Sequence, residues 1–544
     1  MTRLQFYRGV RPLDVVAGLG LVVVLLASGL GVPAAPPPPP GPDASQAMKS
    51  RPMEIGMNLA GIVDWSTEWD FVDVFKASRD WIPQTAAEGG PWSTGQRIRC
   101  TPQGWPLLQP GQAAATLMCR EIHGHYPAGT YICTYQGSGE LRFGFDAKQV
   151  KPLGAGRLAV RVEPGEGGIF LRIVRSDPAD PVRDIHVWMP GFEQRTSPFH
   201  PLFLKRLAPF KVLRFMDWQC TNNSTLEHWS QRTTPDSARQ SGPNGVALEY
   251  MIELCNELHA DPWFCMPHRA DDDFVRHFAQ MVRDRLHPDA TIYVEWSNEA
   301  WNGLFGQARW VYQEAQRRGV PFTQVIAERA RHDWNLWRQV LGPRADHLVR
   351  VAAGQHYNPQ VAQGLLEALH GDCDAISCAC YFGVQNASGF SAETTGREVV
   401  DSCLDNIRDK CLPMLAEHKA LARQWSARTG HPIRLLCYEA GQHILPIGGF
   451  EGGQQGFVTW KQAAWDCQTT PLMYDAYARM LSGAQDAGAD LVMAFSYVGL
   501  PSKWGSWGVL QYQDEPLAQA PKYRALADFA RRGAAAGGPN NGSR

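Results

Sequence analysis

The chain has 544 residues, of which 44% are hydrophobic and 19% charged, with a formal net charge of −2. This composition suits a large folded core plus a second module and excludes a chain disordered throughout. Near-neutral charge without a long basic run excludes a nucleic-acid partner, which would need clustered Lys and Arg to neutralise phosphates.

Arg3, Arg8 and Arg11 precede an apolar run over 15–32, and Pro33-Ala34-Ala35 follow it. The pattern predicts a signal peptide or membrane anchor over 1–35, hence a secreted, periplasmic or cell-surface protein whose membrane attachment is confined to this segment. Residues 36–50 open on five consecutive prolines and read as a stiff linker. Short apolar strands are then expected at 54–59, 211–216, 262–266, 291–296, 347–353, 374–380, 433–438 and 490–496. Helical periodicity is expected at 245–259, 271–285, 303–318, 323–340, 360–369, 396–428, 470–486 and 520–532. Strands alternating with helices predict a parallel sheet, and this number of units closes most naturally into a (β/α)8 barrel over 51–82 and 199–532. The stretch 83–198 breaks the pattern. Its short alternating runs, at 114–119, 130–135, 140–145, 158–162, 169–174 and 184–189, predict an inserted all-β sandwich or jelly-roll-like domain. Residues 533–544 are small and polar and are expected to form a mobile tail.

The 13 cysteines form no repeated C-x-x-C pairs, so neither a structural zinc site nor any other metal is expected. Export permits disulfides, with Cys403–Cys411 or a pair among Cys100, Cys119 and Cys133 as candidates. Cys378 and Cys380 read as small core residues on one strand face. Asp271, Asp272 and Asp273 read as caps opening a helix.

In a (β/α)8 barrel the active site lies at the C-terminal ends of the strands. The fourth strand ends in Glu295-Trp296-Ser297-Asn298-Glu299 and the seventh in Tyr438-Glu439. Two carboxylates so placed face each other across the barrel mouth, which is what glycoside hydrolysis requires: one protonates the leaving oxygen, and the other attacks the sugar or activates water. Trp65, Trp69, Trp218 and Trp301 follow predicted strands and are candidates for stacking on sugar faces. No organic cofactor is called for.

Glu295-Trp296-Ser297-Asn298-Glu299 resembles the Glu-x-x-Asn-Glu signature on the fourth strand of clan A glycoside hydrolases, which are retaining (β/α)8 barrels. The resemblance covers 55–60 and 205–530. It implies Glu299 as acid/base, Glu439 as nucleophile, Asn298 as a ligand of the sugar 2-hydroxyl, and Glu295 as a structural residue. It also implies Arg214 beside the nucleophile, His268 as a sugar-binding residue after strand three and Tyr381 as a hydrogen-bond partner of the nucleophile. The strand-eight tryptophan platform falls on Trp504 or Trp507. Ala300 stands where the clan commonly has proline. Met57-Asn58-Leu59-Ala60-Gly61, Pro190-Gly191-Phe192-Glu193, Arg214-Phe215-Met216-Asp217-Trp218 and Trp263-Phe264-Cys265-Met266-Pro267-His268 further resemble bacterial proteins labelled cellulose-binding that carry a β-domain after strand one. The expectation is therefore a retaining glycoside hydrolase acting on a β-linked polysaccharide or oligosaccharide of β-glucan or cellulose type. The alternative is a non-catalytic carbohydrate-binding surface protein.

Overall fold

Eight strands pair in parallel in chain order and close on themselves. They are Glu54–Asn58, Val212–Arg214, Asp261–Met266, Ile292–Trp296, Leu348–Ala353, Ala375–Phe382, Arg434–Gln442 and Leu491–Ala494, called barrel strands one to eight below. Closure is explicit in the register, where Glu54 pairs with Leu491 and Met57 with Ala494. The computed structural model describes residues 52–451 and 454–536. The expected export segment, the proline-rich linker and residues 537–544 lie outside the described residues. Among the described residues no helix is long and apolar enough to cross a membrane.

The barrel strands are apolar on both faces, as a parallel sheet covered by helices must be. Alternation divides each into two layers. On strand three Trp263 and Cys265 point into the barrel, while Phe264 and Met266 pack outward against the helices. On strand four Tyr293 and Val294 divide in the same way. The barrel interior is thus filled by Trp263, Tyr293, Tyr438, Met216 and Met493 with smaller neighbours. Gly56 on strand one makes this filling possible: a Cβ there would lie 2.2 Å from Met493 Sδ and 2.7 Å from the Val212 carbonyl oxygen.

The insertion is two four-stranded antiparallel sheets sharing one apolar core. One contains Ile82–Thr85, Gln112–Met118, Ile169–Ser176 and Gly139–Phe145; the other contains Arg183–Trp188, Gly129–Gln136, Arg157–Val162 and Ala147–Gly154. Ala147–Gly154 has no counterpart among the expected strands. It is an edge strand, exposed along almost its whole length and carrying Lys148, Lys151 and Pro152, residues that discourage pairing with other chains but erase the apolar alternation. Asp73 fastens the domain to the barrel. Its carboxylate accepts from the backbone N–H groups of Phe75 (3.2 Å) and Val187 (2.8 Å) and contacts His186 Nδ1 at 2.8 Å.

Three helical expectations need correction. The chain re-enters the barrel through Pro201–Leu207, a short helix capped by His200 that was not expected. The stretch 396–428 is not one helix: Gly396–Asn406 and Leu412–Thr429 are joined by a π-helical turn, Ile407–Cys411. The last helix, Pro521–Ala536, continues past the expected start of the tail. Asp271 caps Asp272–Arg285 as expected, accepting from Phe274 N–H at 2.8 Å. All 13 cysteines are free, so neither candidate disulfide forms; Cys411 Sγ lies 3.5 Å from Cys380 Sγ.

The crowding at Gly56 makes a prediction. Gly56→Val overpacks the barrel interior against backbone and should cost about 1–3 kcal/mol, read as a lower urea midpoint with an unchanged slope. An unchanged midpoint would contradict this account of the interior.

Candidate active site

The centre of the site is Arg214, on strand two, fully buried. Its Nη1 donates to Asn58 Oδ1 and Glu439 Oε1, both at 3.0 Å, and its Nη2 to Glu295 Oε2 at 2.9 Å and Asn298 Oδ1 at 2.8 Å. Its planar group lies over the Trp263 ring (5.5 Å) and the Tyr438 ring (5.2 Å). One guanidinium on strand two therefore collects residues from strands one, three, four and seven. Each partner is fixed in turn. Asn58 donates to the carbonyls of Tyr438 (3.0 Å) and Ala494 (3.1 Å), and Trp263 Nε1 donates to Glu295 Oε2 at 3.0 Å. Asn298 Nδ2 donates to Asn222 Oδ1 at 3.0 Å, and Gln307 Nε2 reaches both Asn222 Oδ1 and the Asn298 carbonyl at 2.7 Å.

The two carboxylates lie in different environments. Glu439 Oε1 is held by Arg214, and its Oε2 accepts from the Tyr381 hydroxyl at 2.9 Å. Burial raises its pKa, opposed by the Arg214 charge and the two hydrogen bonds. Among the described residues, Glu299 has no cation in contact. Its Oε1 accepts from Tyr438 OH at 3.1 Å and its Oε2 from Asn302 Nδ2 at 2.9 Å. Burial and the nearby Glu439 charge push it up to about 7. Asp217, just past strand two, is a third carboxylate in this field, pushed to about 7 by burial and by Glu439.

Local backbone explains how both glutamates reach the mouth. Strict alternation would send Tyr438 and Glu439 to opposite faces of strand seven. The pairing with strand six slips here: Cys378 pairs with Cys437, but the next residue, Ala379, pairs with Glu439. The bulge re-aims the strand. Tyr438 stays in the interior layer and Glu439 still reaches Arg214. At the end of strand four, Ser297 (φ 60°) and Glu299 (φ 41°) take left-handed backbone, which costs non-glycine residues about 1–3 kcal/mol each. The Asn302 N–H to Glu299 carbonyl bond (2.7 Å) closes the turn that holds this conformation.

Of the residues expected from sequence, Glu299, Glu439, Arg214, Asn298, Tyr381 and Glu295 converge. Of the others, Trp507 lies close by, while Trp218, Trp301, His268 and Trp504 do not join them. Trp218 is wholly buried, stacked among Phe71, Phe199 and Phe203 behind the barrel wall, so it is core and unavailable to a ligand. Trp301 packs partly buried against the barrel–helix layer. His268 is buried with its ring edge toward Trp310 (6.1 Å); burial and the charges of Arg269 and Arg329 lower it to about 4, and among the described residues no hydrogen bond joins it to either glutamate. Trp504 sits in the Ser502–Gly505 turn with Lys503 Nζ 4.7 Å above its ring. The aromatic wall near Glu439 is instead Phe495, 6.3 Å from Tyr381, backed by Trp507 at 5.9 Å.

Asn58, Tyr438 and Asn302 were not anticipated. Asn58 ends strand one on the inward face, a signal available from alternation alone. Tyr438 depends on a bulge that no local pattern announces.

No family model matches the chain, and no curated protein matches it by sequence. Several solved structures resemble it at low similarity. A GH51 arabinofuranosidase from Xanthomonas axonopodis pv. citri is 14% identical with a TM-score of 0.44, over 62% of this chain and 67% of that one. A family 51 alpha-L-arabinofuranosidase from Bifidobacterium longum is 10% identical (TM-score 0.41; 62% and 68% covered). An exo-beta-1,4-mannosidase from an Opitutaceae bacterium is 13% identical (TM-score 0.34; 61% and 55% covered). The barrel stands on its own strand order, and the chemistry of the site on its side-chain geometry.

Removing the hub should expose its cost. Arg214→Met strands the Glu295 and Glu439 carboxylates without their cation, so stability at pH 7 should fall by about 3–5 kcal/mol. Without the cation Glu439 binds its proton more tightly, so part of the loss should return as the pH is lowered to 5. Denaturant melts at the two pH values check this; a loss equal at both would contradict it.

Proposed function

We propose that the protein is a retaining glycoside hydrolase, with Glu439 as nucleophile and Glu299 as acid/base. The observation that carries this is the unequal environment of the two glutamates. Glu439 is held by Arg214 and Tyr381, contacts that oppose the upward push of burial on its pKa, while Glu299, held by the neutral Tyr438 and Asn302, is pushed up to about 7, so it keeps a proton to give. Glu439 attacks the anomeric carbon as Glu299 protonates the departing glycosidic oxygen. Glu299, now ionised, then takes a proton from the water that releases the sugar. With Arg214 opposed by Glu295 and Glu439, the pocket carries net negative charge, which favours the cationic, oxocarbenium-like transition state. Asn298, oriented by Arg214, Asn222 and Gln307, is placed to meet a sugar hydroxyl beside Glu439. Phe495 and Trp507 offer the apolar wall against which a sugar ring packs. A β-linked glucan of cellulose type is the substrate class we favour, and export to the cell surface, periplasm or medium is its natural setting.

A second reading has one observation in its favour. On the β-domain, Trp92 and Phe145 are exposed and stacked (6.1 Å) beside Phe170 and Arg172, over a cavity of about 360 Å³. This surface suits glycan binding without turnover, and the insertion is then the functional module.

Sugar release from a panel of plant, fungal and bacterial polysaccharides separates the two readings. Glu439→Gln and Glu299→Gln should each lower kcat by about 10²–10⁴-fold or more. The first-formed product, followed by NMR, should keep the anomeric configuration of the substrate. No release from any glycan, with binding unchanged in both variants and lost in Trp92→Ala, would overturn the hydrolase in favour of the binding module.

The sign of the pH dependence follows from Glu299. The acid must be protonated, so kcat/KM should be sustained up to a pH of about 7 and fall above it by about tenfold per unit. In Glu299→Gln, assayed on a substrate whose leaving group needs no proton, this alkaline limb should vanish. A limb that persists would assign the acid to another group.

A further inference from the structure

On the outer face of the barrel, under helix Leu412–Thr429, lies a cluster that the proposed hydrolysis does not use. His356, Cys378 and His418 are all buried, and one potential ligand atom from each lies within 4.8 Å of the others. His356 Nδ1 is 3.4 Å from Cys378 Sγ. Cys437, on strand seven, is the cross-strand partner of Cys378 and packs into the same outer layer.

The hydrogen bonds determine the imidazole tautomers. His356 Nε2 bonds the Cys411 carbonyl at 3.1 Å, and His418 Nε2 bonds the His356 carbonyl at 3.0 Å. A carbonyl only accepts, so both Nε2 atoms carry hydrogen. In the neutral rings each Nδ1 is then left with a lone pair. A backbone carbonyl that anchors one ring nitrogen and leaves the other free is the support that metal-binding histidines ordinarily have.

We propose that His356, Cys378, His418 and Cys437 bind one Zn²⁺ ion. Tetrahedral zinc with bonds of ~2.0–2.3 Å separates its ligand atoms by ~3.3–3.8 Å. The 3.4 Å contact already has that spacing, and the 4.8 Å limit on the trio leaves only side-chain adjustments to make. Charge also balances: two thiolates and two neutral imidazoles cancel a dication, which removes the penalty of burying it. Each thiol gives up its proton to solvent as the ion binds. Its place gives it a structural task. It ties strands six and seven, immediately before Tyr381 and Glu439, to the loop after strand five and to the helix behind them. The ligands come from four separate segments, so no sequence spacing announces them.

The test uses the full chain, purified under reducing conditions, stripped by a chelator and titrated with Zn²⁺ against a chromophoric competitor. One Zn²⁺ per chain should bind with sub-micromolar affinity. Co²⁺ in its place should give thiolate-to-cobalt charge transfer and intense tetrahedral bands. Cys378→Ser and His418→Ala should each weaken Zn²⁺ binding by at least about tenfold, while Cys100→Ser, remote and exposed, should leave it unchanged. A folded, fully reduced wild type that takes up no Zn²⁺ would overturn the proposal. So would affinity unaffected by either ligand variant, or a disulfide found at Cys378. If a ligand variant fails to fold, the wild-type cobalt spectrum decides alone, and absence of the charge-transfer band overturns the site.

Discussion

A single buried cation organises the mouth of this barrel. Arg214 has five N–H donors and spends four of them on Asn58, Glu439, Glu295 and Asn298. Taking a guanidinium and two carboxylates out of water costs several kcal/mol per ion, and their mutual attraction compensates only with good geometry. That geometry is supplied here by residues which do nothing else: Asn58 bridging strands seven and eight, Trp263 donating to Glu295, and Asn222 and Gln307 fixing Asn298. The arrangement is a poor way to gain stability and a good way to orient charge. It leaves Glu439 paired with Arg214, while Glu299 is held by the neutral Tyr438 and Asn302. From that asymmetry follow the division of roles and the pH at which the pair should work.

Much of this was legible in the sequence. Each barrel strand begins within one residue of its apolar run, because parallel strands covered on both faces have little choice of composition. Glu299 and Glu439 were identifiable from their positions at strand ends, since barrel topology brings such positions together, whereas Arg214 and Asn298 were legible only through the resemblance of the strand-end motifs to clan A glycoside hydrolases. The tryptophans were not. Trp218 and Trp301 follow strands as a sugar platform would, yet a large apolar ring at such a position can turn toward the mouth or toward the helix layer, and nothing local decides which. Trp218 turned outward because Phe71, Phe199 and Phe203 provide an aromatic stack for it.

Two further features escaped because they depend on departures from regular geometry. The bulge in strand seven places Tyr438 and Glu439 in one site although they are neighbours in sequence. The π-helical turn at Ile407–Cys411 breaks what reads as one long amphipathic helix and presents the Cys411 carbonyl to His356. Irregularities of this kind often accompany functional sites. Both lie on strands six and seven or in the helical layer directly behind them, the same part of the barrel that carries Tyr381 and Glu439.

The central claim is that Glu439 forms a covalent bond to sugar. A panel of 2-fluoro-glycosides with good leaving groups, each incubated with the protein and followed by intact mass and peptide mapping, tests it directly. The account predicts that at least one sugar adds a single glycosyl mass, localised to Glu439 and absent in Glu439→Gln. A label on another residue, or ready turnover of natural glycans by the Glu439→Gln variant, would contradict it.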